Sequence, residues 1–212
     1  MIPAKPQNRG LARRQAMIDA AKELFLEKGF DGTSLSDILD RSKGSRSTLY
    51  EQFGNKEGLL RAIVAEETAR IWDLFADEPG PCSFCEDGLV ALGTAFVQAA
   101  LTPNAIAVFR ILVAEGHRVP DIAEFFFNDG PRALKTRLAE RFRAALPPSS
   151  DEAERAEAYA RIYLGAVMGD LYVRLALGLE SHPPTEARIE AHVRAAVTVF
   201  LDGVGRPAAK AH

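Results

Sequence analysis

Within nine residues the chain places Ser45, Arg46, Ser47, Thr48, Tyr50 and Gln52: short hydroxyls, a guanidinium, a phenol and a carboxamide. No acid, base or nucleophile is paired here, so the chemistry is recognition rather than bond-breaking. The planar fork of Arg46 matches guanine O6 and N7 in a DNA major groove. Thr48 and Tyr50 suit phosphate oxygens. Leu49 and Phe53, four apart, share one helical face and should point into a small core. That leaves Arg46, Ser47, Tyr50 and Gln52 on the remaining faces, open to DNA.

Such groups read bases only when a rigid scaffold presents them. Ser34 with Asp37 three positions on forms a variant capping box, and the carboxylate also suits the positive end of a helix. Leu35, Ile38 and Leu39 give that helix one apolar face. Gly44 supplies the unusual backbone angle of a tight turn. A short helix, a turn and a second short helix from about Ser45 to Phe53 make a helix-turn-helix, whose second helix enters the groove. A generic hairpin with solvated polar residues would read the same in isolation, so the neighbouring segments carry weight. Arg9 to Lys28 is amphipathic, with Leu11, Met17, Ile18, Ala21, Leu24 and Phe25 at helical spacing. Gly29 stops it and Phe30 follows as a hydrophobic plug. Asn55 caps a further helix starting near Lys56, whose free N–H groups and lysine suit a phosphate. Residues 1–10, with Pro3, Pro6 and Gly10, read as disordered. They are either a solvated tail or an arm in which Lys5 and Arg9, ahead of Arg13 and Arg14, reach a minor groove.

The run from Ala16 to Leu60 resembles the N-terminal domain of TetR/AcrR-type transcriptional regulators. Shared features are Ala21, Leu24, Phe25, Gly29 and Phe30 at the end of the first helix, then Thr33, Thr48-Leu49-Tyr50 and Phe53. Asn55-Lys56-Glu57 ahead of Leu59-Leu60 completes the pattern. The resemblance covers about a quarter of the chain and keeps its spacing across four elements. It implies an all-α fold: a three-helix helix-turn-helix domain over residues 1–55, then a helical ligand-binding and dimerisation domain over 56–212. The residues expected to meet DNA are Thr33, Ser34, Ser45, Arg46, Ser47, Thr48, Tyr50, Gln52 and Lys56, and the resemblance also suggests phosphates for Thr33, Thr48, Tyr50 and Lys56. One departure stands out. The family places Gly and then an aliphatic residue in the turn, where this chain has Lys43 and then Gly44. Either the turn is shifted by one residue or the motif packs loosely.

Charge is divided in keeping with this. The whole chain has a net charge of −3, but residues 1–60 hold ten Lys/Arg against eight Asp/Glu, and the remainder sixteen against twenty-one. Screening acts over about 8 Å at physiological salt, so the local balance of the head governs its field. The 47% hydrophobic content supports a sizeable core. No apolar run approaches the roughly 20 residues needed to span a bilayer, and the N-terminus has no secretory h-region. The expected location is cytoplasmic.

Beyond Lys56 the pattern is helical throughout, with helices expected at about 56–77, 86–101, 104–115, 119–145, 152–178 and 185–202. Asp129-Gly130-Pro131 should kink or divide the fourth. The last two helices are the dimer candidates, through Tyr159, Gly165 and Gly169, then Ile189, Val193 and Phe200. The same stripes could instead complete a monomeric core. A homodimer is favoured because one helix-turn-helix reads few base pairs and a palindromic operator matches a two-fold protein. Trp72, Phe96, Phe109, Phe126, Tyr163 and Asp170 are candidate contacts for an unidentified small-molecule effector, although aromatic stripes also build cores.

Catalytic motifs are missing: there is no P-loop, G-x-S-x-G, H-E-x-x-H or dinucleotide fingerprint. The twelve residues from Asp40 to Glu51 fail as a calcium loop, with Ser45 at the glycine position. Cys82 and Cys85 form a lone C-x-x-C, open to structural, redox or metal readings. No metal, cofactor or membrane partner is expected. The expectation is a homodimeric regulator of transcription, a repressor released by a hydrophobic ligand. The alternative is a redox sensor switching through Cys82 and Cys85.

Overall fold

The computed structural model describes residues 6–73 and 84–204, and all regular structure among them is helical. In chain order the helices are α1 (Pro6–Lys28), α2 (Leu35–Ser42), α3 (Arg46–Phe53), α4 (Lys56–Asp73), α5 (Glu86–Ala100) and α6 (Pro103–Glu115). They continue with α7 (Pro120–Phe127), a π-helical turn (Asn128–Arg132), α8 (Ala133–Ala145), α9 (Glu152–Met168), α10 (Leu171–Ala176) and α11 (Glu186–Val204). The all-α expectation holds. No single helix among the described residues is long and apolar enough to cross a membrane.

The chain packs as two compact units. The first joins Met1–Thr68 to Ala107–Phe126, and the second joins Ala69–Ile106 to Phe127–His212. The unit holding the head is thus larger than residues 1–55, since it takes in most of α4 and parts of α6 and α7. Its core gathers Met17, Ile18, Leu24 and Phe25 of α1, Ile38 of α2, Leu49 of α3 and Leu59, Leu60, Ile63 and Val64 of α4. Val108, Ile111, Leu112, Val119 and Ile122 pack onto the same cluster. Leu11, placed on the apolar stripe by its spacing, is instead 67% exposed, because α1 outruns the core at its N-terminal end. The helical backbone also begins earlier than expected. Pro6 opens α1, as a first-turn proline can because its missing N–H would be unpaired there anyway.

The second unit is centred on rings. Phe142 meets Phe84, Tyr163 and Phe200 at centroid distances of 5.1, 5.8 and 5.9 Å, and Tyr163 meets Phe200 at 5.7 Å. The Tyr163 hydroxyl donates to the Leu89 carbonyl at 2.6 Å, and burial pushes the phenol's pKa well up. That approach needs Gly93. A Cβ there would stand 2.8 Å from the Tyr163 hydroxyl and 2.7 Å from Val193 Cγ1.

Two breaks differ from a simple helical reading. The expected kink near Pro131 takes the form of the π-helical turn, which contains the proline and widens the backbone by one residue where an N–H is missing. The single helix expected over 152–178 is two. Gly169 adopts φ +52° and ψ −136°, outside helical space, and separates α9 from α10.

Candidate DNA-binding surface

Local hydrogen bonds hold the helix-turn-helix. The Ser34 hydroxyl accepts the Asp37 N–H at 3.1 Å, and the Asp37 carboxylate accepts the Ser34 N–H at 2.9 Å and its hydroxyl at 2.8 Å. These bonds, with Lys28 at 3.3 Å, hold the Asp37 carboxyl down at about 2. Arg41, one turn before the bend, forks onto Glu27 at 2.8 and 2.9 Å and so ties α2 to α1.

The turn keeps the register expected of the family rather than shifting. Lys43 takes the left-handed conformation, φ 54° and ψ 31°, and its N–H donates to the Leu39 carbonyl. An L-residue there costs on the order of 1 kcal/mol. Gly44 therefore does not supply the positive angle; its role is steric. A Cβ at Gly44 would lie 2.3 Å from Met17 Cε, so the Met17 side chain occupies the space an aliphatic plug would fill. Met17 is fully buried, and the motif is not loose.

Ser45 then caps α3, its hydroxyl accepting the Thr48 N–H at 3.2 Å and pairing with the hydroxyls of Thr48 (2.8 Å) and Ser47 (3.1 Å). Leu49 is fully buried and Phe53 packs against the core, as their shared face implies. Arg46, Ser47, Tyr50 and Gln52 are exposed. Arg46 has no hydrogen-bond or ion-pair partner among the described residues. The polar groups that sequence reasoning picked out on α3 thus form one capped, solvent-facing helix.

Two residues expected on phosphates are engaged internally. Thr33 is buried, and its hydroxyl lies 2.8 Å from the Gly29 carbonyl and 3.1 Å from that of Leu24, closing the C-terminal end of α1. The Lys56 ammonium donates to the carbonyls of Phe30 (2.6 Å) and Thr33 (3.1 Å) and sits 4.4 Å over the Phe30 ring. Their hydrogen-bonding types are as read, but their direction is inward. Asn55 caps α4 as expected, accepting the Gly58 N–H at 2.7 Å. Sequence reasoning missed what joins the head to residues 107–126. Arg118 pairs with Asp31 and Glu115, and Arg61 lies 4.2 Å over the Phe125 ring. Isolated charges at such separations leave no periodic signal.

The expected effector contacts do not gather round one cavity. Phe96 and Tyr163 are close-packed core. Phe109 and Phe126 belong to the first unit, where Phe126 packs on the core of the head. Asp170 is exposed, 3.7 Å from Arg174. Trp72 alone of the six lines an open groove of about 450 Å³, with Asn128, Arg132, Thr136, Arg137 and Glu140. Its indole N–H donates to the Asp129 carbonyl at 2.8 Å, and the Arg137 guanidinium lies 5.7 Å from the ring.

The dimer candidates also divide. Ile189, Val193 and Phe200 are buried in the protomer's own core, and Tyr159 packs on Phe200 at 6.1 Å. The Cβ direction of Gly169 is filled by the His192 ring of the same chain at 3.0 Å. Gly165 is open, with nothing within 4 Å of a Cβ. Beside it Ile162 is 50% exposed, and on α11 Val199 is 73% exposed with Ala191 and Ala195 on the same face. Of the cysteines, Cys82 lies outside the described residues. Cys85 caps α5, its sulfur accepting the Gly88 N–H at 3.4 Å, and is disulfide-bonded. Three or more metal-ligating groups do not cluster among the described residues.

A capped, solvent-facing second helix on a three-helix head, with only helices following it among the described residues, defines the class: a helix-turn-helix regulator of transcription. The family of "Bacterial regulatory proteins, tetR family" matches residues 17–63, and "AefR-like transcriptional repressor, C-terminal domain" matches residues 87–203. The chain belongs to the TetR family of DNA-binding transcriptional regulators. It is 38% identical over 88 residues to the HTH-type transcriptional repressor ComR of Escherichia coli (strain K12), a match covering 42% of this chain and 40% of ComR. Over 115 residues it is 30% identical to the HTH-type transcriptional regulator UidR of the same organism, covering 54% of this chain and 57% of UidR. The solved structure of the flavonoid-responsive regulator FrrA superposes with a TM-score of 0.69 at 28% identity, covering 90% of this chain and 96% of that one.

Proposed function

We propose that this chain is a homodimeric repressor that reads a palindromic double-stranded operator and lets go of it when a small aromatic ligand binds. In this reading residues 1–55 read DNA, and residues 56–212 receive the ligand and pair with a second copy. The operator lies on the chromosome, so the protein works in the cytoplasm. The carrying observation is the outer face of α3, where Arg46, Ser47, Tyr50 and Gln52 stand exposed on a helix fixed at its start by the Ser45 cap. Ser34, which caps α2, and Ser45 and Thr48 at the start of α3 are assigned to backbone phosphates. Dimerisation is assigned to Ile162 and Gly165 of α9 with Ala191, Ala195 and Val199 of α11, an apolar strip left uncovered in one protomer.

The ligand site is assigned to the groove at Trp72. An indole face flanked by two arginines suits a planar ring bearing oxygen substituents. FrrA, whose name records a flavonoid response, makes an aromatic effector the natural first class to test. The test is selection of duplexes from a random library by the full-length protein, then fluorescence anisotropy on the enriched sequence. Arg46→Ala should lose about 1–3 kcal/mol on it and relax preference at one base position per half-site. Equal binding by parent and variant would remove α3 from the reading role.

A second reading rests on the disulfide at Cys85, which caps α5. If redox state were the signal, reductant alone would change operator affinity, and Cys85→Ser would abolish that response.

A further inference from the structure

We infer that Lys43, in the turn of the helix-turn-helix, binds a DNA phosphate beside the recognition helix. The inference rests on the operator-binding role proposed above. Lys43 is the only non-glycine residue with positive φ among the described residues. Glycine would adopt this angle without steric cost, and the turn asks nothing of the side chain, since the N–H alone makes the bond to the Leu39 carbonyl. The fold itself gives no reason for a lysine here.

The charge pattern supplies one. From Lys28 to Lys56 the chain holds five cations: Lys28, Arg41, Lys43, Arg46 and Lys56. Lys28 pairs with Asp37, Arg41 with Glu23 and Glu27, and Lys56 binds two carbonyls and the Phe30 ring. Lys43 and Arg46 are both exposed, and neither has a partner among the described residues. They flank the start of α3, whose first turn holds no acidic residue. Recognition helices present their first residues to base edges, so a long flexible cation just ahead of them reaches the flanking phosphates. Lysine, a point charge on a mobile stem, suits a phosphate better than a base. Arg46 and Lys43 then divide the work, one reading sequence and the other fixing position.

The experiment uses the full-length parent, Lys43→Gly, Lys43→Asn and Lys43→Arg with a duplex enriched from a random library by the parent. Anisotropy titrations over a salt series give Kd and its salt slope, and thermal melts give Tm. Releasing one counterion makes the slope of log K against log salt shallower by about 0.9, which is roughly five-fold in affinity at 0.15 M salt. Lys43→Gly and Lys43→Asn should both show that loss, whereas Lys43→Arg should bind like the parent. Relief of strain should leave Lys43→Gly melting about 2–4 °C higher, so its weaker binding could not come from misfolding. A Lys43→Gly protein with parental affinity and salt slope overturns the inference alone, as would Lys43→Arg losing as much as Lys43→Gly. A parent that enriches no duplex overturns the regulator reading and this inference together.

Discussion

Lys56→Met separates two jobs that one lysine could do. Methionine keeps the apolar stem against Phe30 and removes the ammonium with its bonds to the Phe30 and Thr33 carbonyls. Those carbonyls lie between α1 and α2, so the ammonium joins the start of α4 to the loop that orients the helix-turn-helix. A charged hydrogen bond contributes about 1.5–3 kcal/mol, and at this half-exposed site water recovers part of it. A total loss of about 1.5–3 kcal/mol for the two bonds and the ring contact is therefore reasonable. At roughly 2–4 °C per kcal/mol for a chain of this length, the variant should melt about 3–12 °C lower. Operator affinity should fall because α3 is less firmly placed, with little change in salt slope. Melting is followed by circular dichroism and binding by anisotropy over a salt series. If Lys56→Met melts within about 1 °C of the parent while its salt slope becomes shallower by about one unit, the lysine is a phosphate ligand and the internal clamp is refuted.

Gly93→Ala gains about 1 kcal/mol of helix propensity but forces a Cβ to 2.7 Å from Val193 and 2.8 Å from the Tyr163 hydroxyl. Overpacking of about 1–3 kcal/mol should win, lowering the urea midpoint, and adding Tyr163→Phe should recover part of the loss. Asp37 keeps its charge in the fold down to about pH 2, against an ordinary 3.8, so its contribution is present above pH 4 and lost as pH falls through 2. The stability gap between parent and Asp37→Asn, measured by urea titration, should therefore close over that window. Ile162→Glu combined with Val199→Glu should sediment as a monomer at micromolar concentration, with each protomer melting like the parent. A dimer surviving both changes would move the interface elsewhere.

Much of the head was legible because several signals coincide on the same residues. Ser34 with Asp37 and Asn55 ahead of Gly58 are caps, and caps are local chemistry that short spacing reveals; Ser45, read only as a DNA contact, is a cap of the same kind. Direction is what spacing conceals. Thr33 and Lys56 have side chains suited to a phosphate, yet three-dimensional closure turns Thr33 toward carbonyls closing α1 and Lys56 toward carbonyls of the α1–α2 loop. The apolar stripe Ile189, Val193 and Phe200 is a real stripe, but a stripe does not say whether its cover comes from the same chain or another. Here α5 and α9 cover it. Gly169 reads from sequence as a dimer contact inside one long helix, because glycine inside an apolar helix looks the same whether it packs or breaks. Lys43 and Gly44 were legible as an anomaly. Their resolution needed Met17, twenty-six residues upstream, which no local window includes.

Trp72 is the chain's single tryptophan, and its indole is pinned to the π-helical turn through the Asp129 carbonyl. The protein therefore carries one native fluorophore, placed in the second unit, while α3 lies in the first. Its emission is an unlabelled optical gauge of the groove, since an occupant stacking on the ring would quench it. A shift of that emission on adding operator alone would be light reporting, from outside the DNA-binding surface, that occupancy of α3 has been felt at the π turn.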